Sequence, residues 1–193
     1  KQASLKGVLA RQKIREKQNK IKEKKLLLKL KDERSYFLVA RLCGFLSGDG
    51  HIKSRIDKKG WNHHEVRFYP DNLELANLFV KTFKGLYEKS PLITPLKNYY
   101  RVFVTSKVAC NHLLSLSTYD THNWKIPEFV FKEDKLKYEF IKAIFDCEAS
   151  VNKVNIQFQS VNKKGIEQVS ELLESIGIHS KIYSYKRSTP NWN

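Results

Sequence analysis

Two acids, Asp49 and Glu148, stand 99 positions apart, each at the end of an apolar stretch that reads as a helix. The first stretch runs Leu42-Cys43-Gly44-Phe45-Leu46-Ser47-Gly48-Asp49-Gly50, the second Ile141-Lys142-Ala143-Ile144-Phe145-Asp146-Cys147-Glu148-Ala149. Ala40, Gly44 and Gly48 recur every fourth residue, so one stripe of the first helix is nearly bare backbone; Ala143 and Cys147 form the matching stripe. Glycine inside a helix costs about 1 kcal/mol against alanine. Two of them point to a close helix approach that compensates. If the stripes meet, both helices end at one place and the two carboxylates lie side by side. Each is then at a helix C-terminus, where the macrodipole is already negative, and each repels the other. A divalent cation relieves that conflict. The carboxylates of Asp49 and Glu148, with backbone carbonyls at Gly48 and Cys147, make a hard-oxygen set suited to Mg2+ or Mn2+. Next to a basic surface, such a set suits phosphodiester hydrolysis. One acid alone would read as a turn residue or a solvated helix end. Two at equivalent positions make Asp49 and Glu148 the candidate catalytic pair.

The basic surface is there. Among 193 residues, 36 Lys and Arg face 20 Asp and Glu, a net charge of +16, and a field of that sign and size favours polyanions, nucleic acid first. No apolar run approaches the roughly 20 residues a bilayer span needs, and the N-terminus has no apolar signal segment; no membrane partner is expected. Cys43, Cys110 and Cys147 form no CxxC pair, which argues against a disulfide framework or structural zinc and for a reducing, intracellular compartment. There is no Met, so the chain reads as a processed or excised segment. Residues 1–34 hold 13 basic and 4 acidic residues. Leu9–Leu30, free of Pro and Gly and rich in helix formers, reads either as a basic helix that grips phosphates or as a charged, partly frayed leader with no specific role. Ile14 and Ile21 recur at a heptad interval, too sparsely for a coiled coil.

Beyond residue 34 the pattern is globular. A helix over Tyr36–Ser47 precedes strands His51–Ile56 and Glu65–Tyr69, and Asp71-Asn72-Leu73-Glu74 opens a helix through Tyr87. Strands Ser90–Leu96 and Tyr99–Thr105 and a helix Lys107–Ser117 complete a first unit. The series then restarts: helix Leu136–Cys147, a very short strand near Ala149–Asn152, strand Lys153–Gln159, helix Lys163–Ile176 closed by Gly177, and strand Ser180–Lys186. Val66-Arg67-Phe68 lies 90 residues before Ile156-Gln157-Phe158, and Asn72, Phe79, Phe83 and Leu86 match Asn162, Val169, Leu173 and Ile176 at that offset. This is a duplication, whose second copy stops before a last strand and helix. The organisation expected is a basic leader (1–34), a first repeat (35–132) and an incomplete second repeat (133–193).

At these residues the sequence resembles the LAGLIDADG homing endonucleases. Leu42–Gly50 matches the nine-residue signature at its first, third, eighth and ninth positions, with Ser47 in place of the sixth-position acid. Ile141–Ala149 is a looser match, with Ala143 and Ala149 for glycines and Glu148 for the eighth-position acid. The resemblance covers about Tyr36 to Asn193. It implies an α+β, pseudo-twofold, duplicated αββαββα fold in which two antiparallel sheets form a saddle over double-stranded DNA, the second copy truncated. The molecule would be a monomer, with metals held by Asp49 and Glu148 at its centre. The activity implied is site-specific, divalent-metal-dependent DNA double-strand cleavage of the intron or intein type. An RNA maturase acting on intron RNA and a non-catalytic DNA-binding regulator are the alternatives on this fold.

Strand alternation supplies candidate DNA contacts. With Ile52 and Ile56 inward, His51, Lys53 and Arg55 face out; with Val154, Ile156 and Phe158 inward, so do Lys153, Asn155, Gln157 and Gln159. Arg67 is the repeat mate of Gln157, Arg101 contributes likewise, and the last strand offers Lys181, Tyr183, Tyr185 and Arg187. Arg, Lys, Gln and Asn are the types that read base edges. The family often has a Lys or Gln near the end of the second strand. Here Tyr69-Pro70-Asp71 and Ser160-Val161-Asn162 stand there, leaving Lys53, Lys153 and Gln159 as substitutes. Trp61-Asn62-His63-His64 and His122-Asn123-Trp124 lack the spacing of an HNH nuclease or zinc site and read as polar loops. His112 reads as structural and Cys147 as a packing residue.

Overall fold

The computed structural model describes residues 2–30, 32–56, 58, 60 and 62–185. A long helix, α1 (Gln2–Lys29), precedes α2 (Glu33–Ser47), the hairpin β1 (Gly50–Ile56) and β2 (Asn62–Phe68), and α3 (Leu73–Tyr87). Strands β3 (Leu92–Pro95) and β4 (Tyr100–Thr105), helix α4 (Lys107–Leu116) and a 3-10 turn (Glu128–Lys132) follow. The second half contains α5 (Asp134–Glu148), β5 (Ala149–Val151), β6 (Ile156–Phe158) and α6 (Lys163–Glu174). Helix, two strands, helix thus occurs twice, the mixed α+β arrangement expected.

Equivalent residues start the equivalent helices. The Asn72 side chain accepts from the Leu75 N–H at 2.8 Å and the Asn162 side chain from the Gly165 N–H at 3.1 Å. Each is an N-cap that satisfies one orphan amide. At the other end of α6, Gly177 adopts φ +79°, the left-handed conformation that glycine enters without strain.

The first sheet is antiparallel in the order β1-β2-β4-β3. Its inner face, Val66, Phe68, Val102 and Val104, is buried. Phe68 stacks on Phe79 with ring centroids 4.6 Å apart, and Phe45 meets both rings. Thus α2 and α3 roof one side of the sheet and leave its other side open. His112 shares a 2.8 Å hydrogen bond with the Tyr87 hydroxyl, the structural role expected of it. Trp124 is buried and packs beside Gly165, where a methyl group would lie 2.5 Å from the indole; its carbonyl accepts from the Asn162 amide. His122 and Asn123 are exposed in a turn held by the Asp120 side chain, the polar loop expected, while Trp124 is a joint between the halves; Asn62–His64 are strand residues, and Trp61 lies outside the described residues.

Two strand expectations fail in the second half. The strand Lys153–Gln159 shrinks to Ile156–Phe158, because Asn152 accepts from the amides of both Val154 and Asn155 and folds 152–155 into a turn. Val154 and Ile156, expected to be inward, are 88% and 62% exposed, and only Phe158 packs, stacked on Phe145 at 5.3 Å. Among the described residues the Ser180–Lys186 segment joins no ladder, and β5–β6 is a two-stranded sheet. In the first sheet the Ile56 side chain is also exposed, since the hairpin tip runs past the roofing helices.

Candidate metal site and nucleic-acid face

Helices α2 and α5 pack against each other through the small-residue stripes. Ala40 and Ala143 are buried, and a methyl group on Gly44 would lie 2.5 Å from the Phe140 carbonyl oxygen and 2.8 Å from Cβ of Ala143. One on Gly48 would lie 2.5 Å from Cβ of Cys147 and 3.5 Å from Cγ of Glu148. No side chain fits between the helices at either level. Toward the opposite end of the pair, Arg41 Nε donates to Glu139 Oε2 at 2.7 Å, an ion pair between the halves.

This contact sets Asp49 next to Glu148. Burial, then the charge of Glu148, then that of Asp71 push the Asp49 carboxyl up to about 7; burial raises Glu148 as well. The backbone holds both acids in equivalent ways: the Asp49 carbonyl accepts from the Tyr69 N–H at 3.0 Å, the Glu148 carbonyl from the Gln159 N–H at 3.5 Å. Tyr69 and Gln159 are repeat mates at the 90-residue offset. Of the three possible substitutes for a supporting polar residue, Gln159 meets an acid through its main chain only, Lys53 pairs across the sheet with Glu65 and Lys153 sits in the exposed turn.

Two half-buried carboxylates held together with raised pKa values are unfavourable unless a cation neutralises them. The donors suit a hard ion. Burial and the nearby Asp49 charge raise the Cys147 thiol well above its ordinary value, so it stays protonated and offers no soft ligand. Among the described residues no group of three or more His, Cys, Asp or Glu is placed to hold a metal. The two carboxylates are hard oxygen donors of the kind a divalent cation takes.

The open face of the first sheet carries the candidate contacts in cross-strand rows. His51 pairs with Arg67, Arg67 with Phe103 and Phe103 with Leu92; Lys53 pairs with Glu65 and Glu65 with Thr105; Arg55 pairs with His63 and Arg101 with Thr94. His51, Lys53, Arg55, Arg67 and Arg101 therefore share one face. Arg67 is tightly held: it donates to Glu65 at 2.5 Å, hydrogen-bonds Tyr69, and lies 5.8 Å from the Phe103 ring centroid. Its Nε is buried without a partner among the described residues. Glu65, His63 and Phe103 were missed in the sequence; alternation from Val66 and Phe68 would have put the first two beside Arg67. In the second half Lys153, Asn155, Gln157, Gln159, Lys181, Tyr183 and Tyr185 are all exposed, and the Tyr185 hydroxyl reaches Gln159 Oε1 at 3.5 Å. Exposure on both faces of the hairpin removes the inward–outward reason for choosing the first four. Arg187 lies outside the described residues.

This geometry has counterparts. Residues 135–192 match the LAGLIDADG-like domain. The homing endonuclease I-DmoI in complex with DNA and Mn superposes with a TM-score of 0.64 at 18% identity, over 79% of this chain and 84% of that one. Mesophilic variants of I-DmoI give 0.66 at 20% identity, over 80% and 85%. A full-length DUF199/WhiA from Thermatoga maritima gives 0.50 at 13% identity, over 82% and 49%. In sequence, the chain is 26% identical over 149 residues to a replication factor C small subunit of Methanocaldococcus jannaschii, covering 75% of this chain and 8% of that protein. The chain thus has the duplicated LAGLIDADG fold. Its second half carries a LAGLIDADG-like domain, and its architecture is that of the single-chain homing endonuclease I-DmoI.

Proposed function

We propose that this chain is a DNA endonuclease that cuts both strands of a specific duplex site with a divalent metal ion, Mg2+ or Mn2+. The observation that carries this reading is the placement of Asp49 and Glu148 side by side at the ends of two close-packed helices. The DNA and Mn bound by I-DmoI add support from a protein of the same fold. The match to a stretch amounting to 8% of a replication factor C subunit fits a module carried within a larger host, as an intein-type origin requires.

Asp49 and Glu148 would hold the metal, with the Gly48 and Cys147 carbonyls beside them. A bound divalent ion would supply activation of the attacking water and neutralisation of charge on the phosphate and leaving oxygens. The chain does the positioning. The α2–α5 contact brings the acids together, and the backbone bonds from Tyr69 and Gln159 anchor their main chain. Arg67, His51 and Lys53 on the open face of the first sheet hold the duplex in register, through phosphates and base edges.

The test is incubation of the chain with Mg2+ and duplex DNA of the uninterrupted locus. Site-specific scission is expected, and Asp49→Asn or Glu148→Gln should abolish it while retaining target binding. Tight duplex binding by the unaltered chain with no scission under Mg2+ or Mn2+ would favour the non-catalytic regulator; selective binding of intron RNA would favour the maturase.

A further inference from the structure

We infer that α1 is a second nucleic-acid-binding element, lying along phosphates outside the stretch covered by the sheets; this rests on the reading of the chain as a protein that acts on nucleic acid. The helix is 28 residues long, about 42 Å. It is tied to the body at its C-terminal end. Leu26 packs on the core, Leu30 is buried, Lys29 Nζ bonds Glu88 Oε1 at 3.0 Å, and the Ser35 hydroxyl caps the Lys29 carbonyl. Leu26 and Leu30 mark the body side of the helix. At 3.6 residues per turn, Glu16 and Glu23 fall toward that side. The opposite half carries Lys13, Lys17, Lys20, Lys24 and Lys25, all exposed, with no acid among them. From Lys13 to Lys25 is about 18 Å, the rise of about five phosphates along one DNA strand at 3.4 Å each.

That half also exposes Ile14, Ile21 and Leu28 at 58%, 61% and 60%, a heptad series that invites two other occupants. A second copy is disfavoured by the charges. With these residues at one seam position, the other falls on Arg11, Gln18 and Lys25 or on Ala10, Lys17 and Lys24. Pairing two such helices would bury like charges. A lipid surface is disfavoured by composition, since three aliphatic side chains and no aromatic give little to insert. A polyanion meets the cations and leaves the aliphatic groups against sugar and solvent.

The test compares the full chain with a variant carrying Lys13→Gln, Lys17→Gln, Lys20→Gln and Lys24→Gln, titrated with a long duplex containing the target and with an unrelated duplex. Removing one lysine–phosphate ion pair makes the slope of log K against log salt shallower by about 0.9. The expected change is a slope shallower by about 2–4 and a fall in affinity of tenfold or more near 0.1 M salt. The fall should be equal for both duplexes, with helicity by circular dichroism unchanged. An unchanged slope and affinity in this variant, while Arg67→Ala still abolishes target preference, would overturn the role of α1 and leave the endonuclease reading standing. Failure of the unaltered chain to bind any duplex would overturn both. Unchanged duplex binding with weakened binding to vesicles of anionic lipid, or a dimer in sedimentation dissolved by Ile21→Lys, would assign the helix to a membrane or to a second copy.

Discussion

Asp49 is ionised at neutral pH only against the protein's own stability when no cation is bound. Its folded-state pKa of about 7 exceeds the ordinary aspartate value of 3.8. The stability it contributes is therefore fully present below about pH 4 and lost as pH rises through 7. A rise from 3.8 to about 7 would correspond to about 4 kcal/mol; solvent screening of a partly exposed carboxyl reduces this to about 1–2 kcal/mol. Asp49→Asn is accordingly expected to raise the metal-free melting temperature at pH 8 by about 2–6 °C and to have little effect at pH 4. Scanning calorimetry at the two pH values in EDTA checks this, and a destabilised variant at pH 8 would count against a strained carboxylate pair. Arg67 makes the complementary case on the sheet. Glu65, Tyr69 and Phe103 fix its guanidinium, and a fork fixed in this way suits bidentate recognition of a guanine edge. Arg67→Lys keeps the charge and loses the fork. It should cost about 1–3 kcal/mol of target binding and relax preference at one base pair, read from affinities for a panel of single-substitution targets, with the salt slope nearly unchanged.

The α2–α5 pair determines the site at the scale of elements, and Gly44 is its most sensitive position. Alanine there would gain about 1 kcal/mol of helix propensity, but its methyl group would stand 2.5 Å from the Phe140 carbonyl oxygen. Backbone cannot rotate aside as a side chain can, so the helices must separate, at a typical overpacking cost of about 1–3 kcal/mol. Gly44→Ala is expected to lower stability in urea by up to about 2 kcal/mol net and to reduce cleavage at saturating DNA. A surface Gly7→Ala control, with open space around its methyl group, should be neutral or stabilising. The same elements show what could be read from the chain alone. Helices and their Asn72 and Asn162 caps are local features, set by residues within four positions of each other, and the small-residue stripes were visible at fixed spacing. The rows of the first sheet were legible as far as alternation held. Alternation misled at Val154 and Ile156, because three-residue strands depend on neighbours distant in sequence, and the side chain of Asn152 turns the backbone first. The adjacency of Tyr69 and Gln159 to the acids depends on strand register, which residue types alone do not encode.

Considered whole, the molecule is lopsided. The first half has a four-stranded sheet clamped on an aromatic core, whereas the described part of the second has a two-stranded sheet with Val151, Val154 and Ile156 exposed. A two-stranded sheet is at best marginally stable in water, and local stability follows burial and hydrogen-bond protection. Amides of Val66–Phe68 and Val102–Val104 should exchange only with near-global opening, while those of Ser150–Gln157 should exchange orders of magnitude faster. Helix α5, locked against α2, should follow the slow group even though it belongs to the second half in sequence. The acids then sit where the rigid and labile parts meet, Asp49 on the protected side and Glu148 at the start of the labile hairpin. On the endonuclease reading, target duplex and a divalent ion bridge that boundary, so adding both should slow exchange in 149–159 by tenfold or more and change Val66–Phe68 little. Hydrogen exchange resolved by peptide, with and without duplex and Ca2+, measures this. Equal protection of the two hairpins in the free chain would show the second sheet to be completed by contacts beyond the described residues.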